Sequence, residues 1–243
     1  MERANSRKRT ALIVAVSIFI VIAVVVAAIP LFILFRQGSG VKTQPVDHAK
    51  VSPASTGLDG RWEVTKRPGA NFTSAGFTFN EVLPGERRST SASTQGVTGY
   101  AVIEAGTLTA GEITVDMTHL TSDSDVRDEN VRRRILNTDQ FPEATFVVTE
   151  PVDLSGVPDN GTVGLVQLRG DMTIRGETRN VVGDFEVARS ADRLVVGGTI
   201  PINREEFGVK SPELVAAKIA EDGEVNVRPV SYTHLTLPTI LLV

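Results

Sequence analysis

The sequence contains no cysteine in its 243 residues. Disulfides, thiolate catalysis and cysteine zinc sites are therefore excluded, while the redox compartment stays open. Histidine is almost as scarce, and His48, His119 and His234 lie far apart in the chain. Because a metal site needs several ligands brought together, this spacing gives little basis for one. We expect neither a metal nor another cofactor.

The usual signatures of catalysis and phosphate binding are also missing. The sequence has no GxxxxGK[ST], GxGxxG, HExxH or GxSxG pattern. A serine hydrolase could combine His119 with Asp116 or Ser122, but nothing aims a base at a nucleophile. An enzyme of envelope lipids or sugars would use carboxylates such as Asp116, Asp171 or Asp184, and strand alternation points Asp171 outward. The sequence therefore predicts a protein that is not an enzyme.

A strong excess of charge of one sign is missing as well. The formal net charge is −4 at pH 7, which gives no overall attraction for nucleic acid. We therefore expect no nucleic-acid partner.

One long segment near the start lacks charge altogether. Residues 11–35 contain no charged side chain over 25 residues. As a helix this segment would measure about 37 Å, enough to cross a hydrocarbon core of about 30 Å. It is also longer than the apolar region of about 7 to 15 residues in a cleaved signal peptide. We predict an uncleaved transmembrane anchor that binds the chain to the cytoplasmic membrane.

The charges that flank this segment predict its orientation. Residues 1–10 carry four basic side chains, whereas Arg36 alone follows the span immediately. Since cytoplasmic flanks are enriched in Lys and Arg, residues 1–10 are expected in the cytoplasm. The chain is then a single-pass protein of the cell membrane, and its C-terminal domain is extracytoplasmic.

Residues 36–58 read as a flexible linker. Most of this segment is rich in Gly, Ser, Thr and Pro and shows neither the helical nor the strand period of apolar residues. The sequence therefore predicts a tether that holds a folded domain off the membrane.

Residues 59–229 show the alternation of apolar and polar residues that is typical of half-buried strands. Seven or eight short strands at this spacing predict an antiparallel barrel or sandwich. Residues 122–136 differ, because acidic side chains come first and arginines last, as the helix dipole favours. Ser122 or Ser124 could cap this short helix, and Asp128–Arg132 and Glu129–Arg133 have the spacing of helical ion pairs.

The last fourteen residues, 230–243, do not continue the strand pattern. The segment VSYTHLTLPT can be encoded by DNA that resembles the transposase adaptor of sequencing-library preparation. We interpret residues 230–243 as an artefact tail and expect that they do not pack as a natural final strand.

Three segments, in this order, resemble the YceI-like family, the polyisoprenoid-binding, lipocalin-like proteins of bacterial envelopes. They are RDENVRRRILNTDQFPEATF (127–146), MTIRGETRNV (172–181) and INREEFGV (202–209). Phe141 and Pro142 supply the aromatic–proline pair of the family, and MTIRGETRNV matches its hairpin. The resemblance implies an all-β, antiparallel, lipocalin-like β-barrel with a short helix. It also implies an isoprenoid or other long-chain lipid as the partner.

Within MTIRGETRNV, Gly176 can take the positive-φ position of a tight turn, with Arg175 and Arg179 near the strand ends. The charged segment is then primarily a hairpin turn. Contact of the two arginines with an anionic lipid head at the barrel rim is the alternative.

Ten apolar residues share the phase that faces the barrel interior and are the candidate ligand-binding residues. They are Phe77, Phe79, Phe146, Val148, Met172, Ile174, Phe185, Val187, Ile200 and Ile202.

Three functions remain open at this point. The first is a membrane-anchored protein that holds an isoprenoid or similar amphiphile in its barrel. The second is a structural or interaction module of the cell envelope whose barrel is filled by side chains. The third, a lipid-modifying enzyme, would have to use carboxylates such as Asp116, Asp171 or Asp184.

The predicted orientation can be tested with protease. Protease added to intact spheroplasts should digest the barrel domain, because residues beyond the span are expected outside the cytoplasm. Immunoblotting with an antibody against the barrel measures this. A barrel that stays intact until the cells are lysed would contradict the predicted topology.

Overall fold

The computed structural model describes residues 41–66, 71–83, 86–210 and 218–233, without the side chains of residues 82, 83, 86–88 and 218. Within these ranges no helix has the length and apolar character needed to cross a bilayer. The predicted segments 1–10 and 11–35 lie outside the described residues, as do residues 36–40 and 234–243.

The described residues form twelve strands, which alternate inward and outward side chains. The strands are β1 (Gly60–Val64), β2 (Ser74–Leu83), β3 (Glu86–Thr94), β4 (Val97–Glu104), β5 (Thr107–Asp116), β6 (Glu143–Val148), β7 (Val152–Asp153), β8 (Val163–Ile174), β9 (Glu177–Ser190), β10 (Arg193–Asn203), β11 (Lys218–Arg228) and β12 (Val230–Thr233).

Eight of these strands form a closed antiparallel barrel. Neighbours in the order β1, β4, β5, β6, β8, β9, β10 and β12 pair with each other, and β12 also pairs with β1. β11 pairs with the other part of β10, so β11 and β12 follow one edge of β10 on either side of Pro229. β2 and β3 extend the sheet from β11, and β7 pairs with β5. The predicted antiparallel barrel is confirmed.

The predicted helix is present and begins at Asp125. α1 (Asp125–Asn130) continues into a π-helical turn, Val131–Leu136, and the side chain of Ser124 caps the N-terminus by accepting from the backbone N–H of Arg127. Three short 3₁₀ turns complete the helical structure of the described residues; they are His48–Lys50, Met117–His119 and Arg204–Phe207.

Of the two ion pairs predicted on the helix, one is confirmed. Arg133 Nε lies 2.6 Å from Glu129 Oε1. The Asp128–Arg132 pair is wrong, because Asp128 is buried and its Oδ1 accepts from the backbone N–H and hydroxyl of Ser122 at 2.8 and 2.6 Å. Arg132 instead donates to the carbonyl of Leu120. Asp128 thus fixes the segment that leads into the helix.

MTIRGETRNV forms the β8–β9 hairpin, as predicted. Arg175 and Gly176 are the two central residues of the turn, with φ of 53° and 80°, the pattern of a type I′ hairpin turn. Arg175 donates to the carbonyl of Gly208, and Arg179 lies 3.4 Å from Glu177 Oε2. Both arginines therefore support the hairpin.

The predicted flexible linker is wrong for residues 41–58, here called the strap, which pack on the outside of the barrel. Val46 is buried against Gly197, and the backbone N–H of Asp47 donates to Asn71 at 2.6 Å. Arg228 donates to the carbonyl of Pro45. Composition predicted a linker because one buried valine and backbone hydrogen bonds leave no periodic signal.

The strap covers a small apolar cluster on the outer face of the barrel. Val46 packs there with Ala188, Val195 and Val230. Arg228 lies under the strap and also donates to the carbonyl of Phe72. Burial lowers the pKa of this guanidinium, and the two carbonyls offset part of the desolvation.

The prediction that the tail does not pack as a strand is wrong for Val230–Thr233, which form β12. The carbonyl of Val230 accepts from the backbone N–H of Thr65, and its N–H donates to Thr73 Oγ1. Val230 lies in the cluster under the strap, while Ser231 pairs with Leu194 and faces the barrel interior. β12 supplies hydrogen-bond partners to the edges of β1 and β10, and it would do so whatever the origin of the segment. The interpretation of residues 230–243 as an adaptor-derived tail therefore stays a prediction.

Candidate ligand-binding cavity

The barrel interior contains a cavity of about 490 Å³. This volume is within the range of small-molecule sites, about 300 to 1,000 Å³. All ten residues predicted from the apolar phase contact it, namely Phe77, Phe79, Phe146, Val148, Met172, Ile174, Phe185, Val187, Ile200 and Ile202. Their role in binding a ligand stays a prediction.

Three of the phenylalanines lie against strand glycines of neighbouring strands. A Cβ atom at Gly170 would stand 2.5 Å from the ring of Phe146. A Cβ atom at Gly198 would likewise clash with the ring of Phe185, and one at Gly223 with the ring of Phe79. Gly198 is the cross-strand partner of Phe185, and Gly223 is that of Phe79.

Since a glycine leaves the pleated surface open, an aromatic ring can lie over the backbone of the neighbouring strand. Each ring then occupies space along the wall, and the centre of the barrel stays free. Phenylalanine opposite glycine is therefore the sequence feature that makes a cavity instead of a filled core.

The cavity has an apolar floor at one end of the barrel. Leu108 and Leu194 stand at the starts of β5 and β10, and Leu154 and Leu168 complete the lining there. Trp62 closes this end from below; its side chain is 2% exposed and its indole N–H donates to the carbonyl of Leu58 at 2.8 Å.

The helix covers the opposite end, here called the helix end. Val126, Arg127 and Asn130 of α1 contact the cavity, and so does Lys210. Val126 is 74% exposed, and Lys210 is also exposed. Because the other described lining residues are buried or half-buried, the cavity reaches the surface at the helix end.

Buried polar contacts fix the helix end. Arg204 is 6% exposed and donates to the carbonyls of Val209 and Ala220 at 2.7 and 3.0 Å. These bonds hold the Arg204–Phe207 turn, with Phe207 only 1% exposed, against β11. Since buried hydrogen bonds to a charged group are stronger than neutral ones, this turn is a rigid part of the rim.

Each of the three sequence segments that carry the family resemblance contributes to this end. Asp128 fixes the start of the helix, and Arg204 fixes the turn after β10. Phe141 contacts Gly176, where a Cβ atom would stand 2.8 Å from its ring. The motifs therefore support the cavity rim and supply no reactive group.

The carboxylates considered for catalysis do not line the cavity. Asp116 Oδ2 lies 2.7 Å from His119 Nδ1 on the surface. Partial burial raises the pKa of Asp116, but hydrogen bonds from Thr118 and His119 outweigh it, and the pKa is lowered overall. The hydroxyl of Ser122 bonds to Asp128 and not to His119, so no hydrolase triad forms.

Asp171 and Asp184 face outward as well. Asp171 accepts from Asn180 at 2.8 Å, and Asp184 accepts from Gln167 at 3.0 Å. Within the ranges that the structure covers, no group of three or more metal-ligating side chains is present.

The sequence reasoning identified none of the polar residues that line the cavity, and Glu81 and Thr90 are among them. Glu81 and Thr90 line it on β2 and β3, and Thr90 Oγ1 donates to Glu81 Oε1 at 2.6 Å. Glu81 follows Phe77 and Phe79 in the same alternating phase, which is the signal that could have identified it. The polar sequence of β3, Glu86–Thr94, masked this phase.

A closed antiparallel barrel around an apolar cavity that opens at a helix-covered end has the architecture of a lipocalin-like barrel. The model of the YceI-like domain matches residues 62–230. The chain belongs to the YceI-like family.

Two solved structures share the fold at low sequence identity. A polyisoprenoid binding domain from Saccharophagus degradans implicated in plant cell wall breakdown is 18% identical, with a TM-score of 0.53; the match covers 66% of this chain and 94% of that chain. BcnA from Burkholderia cenocepacia is 16% identical, with a TM-score of 0.52; the match covers 64% of this chain and 95% of BcnA. No curated protein matches the chain.

The contact between Gly198 and Phe185 predicts a strong coupling between these positions. Gly198→Ala should lower the free energy of unfolding by about 1 to 3 kcal/mol, because the added methyl displaces the ring. Phe185→Leu should relieve that strain, so the two changes should be non-additive by about 0.5 to 3 kcal/mol. Urea denaturation of both single variants and the double variant measures the coupling.

Gly57→Ala is the matched control, because nothing lies within 4 Å of a Cβ atom at Gly57. Its free energy of unfolding should change little. Additive effects of Gly198→Ala and Phe185→Leu would show that the glycine does not hold the ring against the wall.

Proposed function

We propose that this protein is a membrane-anchored, extracytoplasmic lipid-binding protein that holds an isoprenoid or similar amphiphile in the barrel. One observation carries the proposal: the interior of a closed barrel is left open, and most of its lining side chains are apolar. A long apolar chain placed there gains about 25 cal/mol per Å² of apolar surface removed from water. This gain requires no specific polar contact along the chain.

The family supports a lipid ligand. The Saccharophagus degradans relative is described as a polyisoprenoid binding domain, and its likeness to this chain is one of fold. The apolar lining of this chain's own cavity extends that property to it as a proposal.

The anchor and the extracytoplasmic location rest on the sequence alone. The uncharged segment 11–35 and the basic residues that precede it support them. A lipid carrier fixed at a bilayer would be close to a source of its ligand, which fits a cavity for apolar chains.

A binding role fits the site better than the two alternatives. A filled structural module would leave no cavity of about 490 Å³. The enzyme considered from the sequence would need Asp116, Asp171 or Asp184 at the cavity, and all three lie elsewhere. We therefore propose binding without catalysis.

Filling the cavity with a larger side chain tests the proposal. Met172→Trp places an indole in the lumen, and so it should reduce the amount of added geranylgeraniol that the full chain binds while leaving its stability nearly unchanged. Native mass spectrometry of the chain released from detergent counts the bound molecules. Urea denaturation measures stability.

Val147→Trp is the matched control, because Val147 lies on β6 in the outward phase and is 40% exposed. It should bind geranylgeraniol as the unmodified chain does. If Met172→Trp instead loses about 1 to 3 kcal/mol of stability and the unmodified chain binds no geranylgeraniol, the interaction-module function takes the place of this proposal.

A further inference from the structure

The polar groups of the cavity lining are concentrated at one end. Near the helix end the lining includes Glu81, Thr90, Arg127, Asn130 and Lys210. The floor at the other end is formed by leucines. Ser231 of β12 is a polar lining residue at that end, where it pairs with Leu194. An amphiphile in this cavity therefore has its lowest free energy with its tail toward the floor and its head at the helix end.

The two guanidinium groups that contact the cavity already have partners. Arg127 forms an ion pair with Asp123. Arg204 donates to three carbonyls, those of Val209, Ile219 and Ala220. Both guanidinium groups are thus already engaged in contacts that fix the rim.

The carboxylate of Glu81 has a different environment. Glu81 takes the inward phase of β2, two residues beyond Phe79, and its Oε1 accepts from Thr90, which is 7% exposed. Within the described part of the chain, Oε2 of Glu81 has no hydrogen-bond donor. A half-buried carboxylate is a strong acceptor, and its second oxygen is available to a donor that comes from outside the chain.

Glu112 is the other carboxylate among the described lining residues, and it does not face the barrel interior. Glu112 pairs with Val147, whose side chain is exposed on the outer face, so Glu112 takes the outward phase of β5. Glu81 is therefore the carboxylate that faces a ligand from the inside of the barrel.

We propose that Glu81, supported by Thr90, is the head-group site of the cavity and binds an amphiphile whose head donates a hydrogen bond, such as an alcohol, a phenol or an amide. This inference rests on the proposed lipid-binding function. A phosphate head would face the Glu81 carboxylate and be repelled by it. Lys210 is exposed at the rim, where water screens its attraction for an anion.

A competition between three isoprenoid probes of equal chain length tests the head-group site. Geranylgeraniol donates a hydrogen bond, its methyl ether does not, and geranylgeranyl phosphate carries negative charge. The full chain is mixed with equal amounts of the three probes in detergent, and native mass spectrometry gives the ratio of the complexes. The alcohol should exceed the ether by about tenfold, as expected for a hydrogen bond to a charged group, and should also exceed the phosphate.

Variants assign this preference to Glu81. Glu81→Met keeps the length of the side chain and removes the acceptor, so the alcohol-to-ether ratio should fall to about one, while binding of the ether is unchanged. Glu81→Gln keeps an uncharged acceptor and should restore part of the preference. Glu143→Met is the matched control on the exposed face of β6, and it should leave the ratio unchanged.

Each outcome decides between the proposals. Equal binding of alcohol and ether by the unmodified chain, or an unchanged ratio in Glu81→Met, overturns the head-group site and leaves the lipid-binding function in place. A preference for the phosphate also overturns it and points to the cationic side chains of the rim, Arg127, Arg204 and Lys210, as the head contact. If none of the three probes binds, the lipid-binding function fails, and the head-group site fails with it.

Discussion

The closed ring of backbone hydrogen bonds is the constraint on which the rest of the structure depends. Once β12 pairs with both β1 and β10, the ring has no free edge, and every second side chain of each strand must share one interior. Whether that interior is solid or hollow is then decided by the side chains alone.

The packing of phenylalanine rings on glycines keeps the barrel interior hollow. Phe79, Phe146 and Phe185 each lie over a glycine of a neighbouring strand, and the ring centroids of Phe146 and Phe185 are 6.5 Å apart. The rings therefore add apolar surface to the wall without filling the centre. Protein interiors normally pack without voids larger than a water molecule, and the cavity of about 490 Å³ departs from that rule.

The two ends of the barrel have different physical tasks. Leucines and the buried Trp62 close the floor, and the indole N–H of Trp62 is satisfied by the carbonyl of Leu58. At the helix end, Asp128 and Arg204 hold loops and turns through buried hydrogen bonds to the backbone. This arrangement allows an opening beside α1 without loss of order in the chain around it.

Alternation alone located the interior, because inward and outward positions differ by one residue and a closed sheet has one inside. That is why Phe77 and Ile202, far apart in sequence, were both assigned to the cavity. The strap escaped prediction because its contacts are made by Val46 and by backbone groups, which carry no period.

The tail and the head-group site escaped for related reasons. β12 forms because two strand edges need a partner, a requirement that no local pattern expresses. Glu81 is a polar residue at a position where the alternation predicts an apolar one. Its proposed role depends on the hydrogen bond from Thr90, which lies on a different strand. Long-range pairing therefore limits what the sequence can predict about this site.

The most direct test of the lipid-binding proposal is the identity of what the protein carries from the cell. The full chain, expressed in an isoprenoid-producing bacterium and purified, is extracted with organic solvent and analysed by liquid chromatography and mass spectrometry. The result should be one class of long-chain amphiphile, in an amount close to one molecule per chain and reduced in Met172→Trp but not in Val147→Trp. An extract that contains only the bulk phospholipids of the host, in equal amounts for all three proteins, would contradict a ligand held in the barrel.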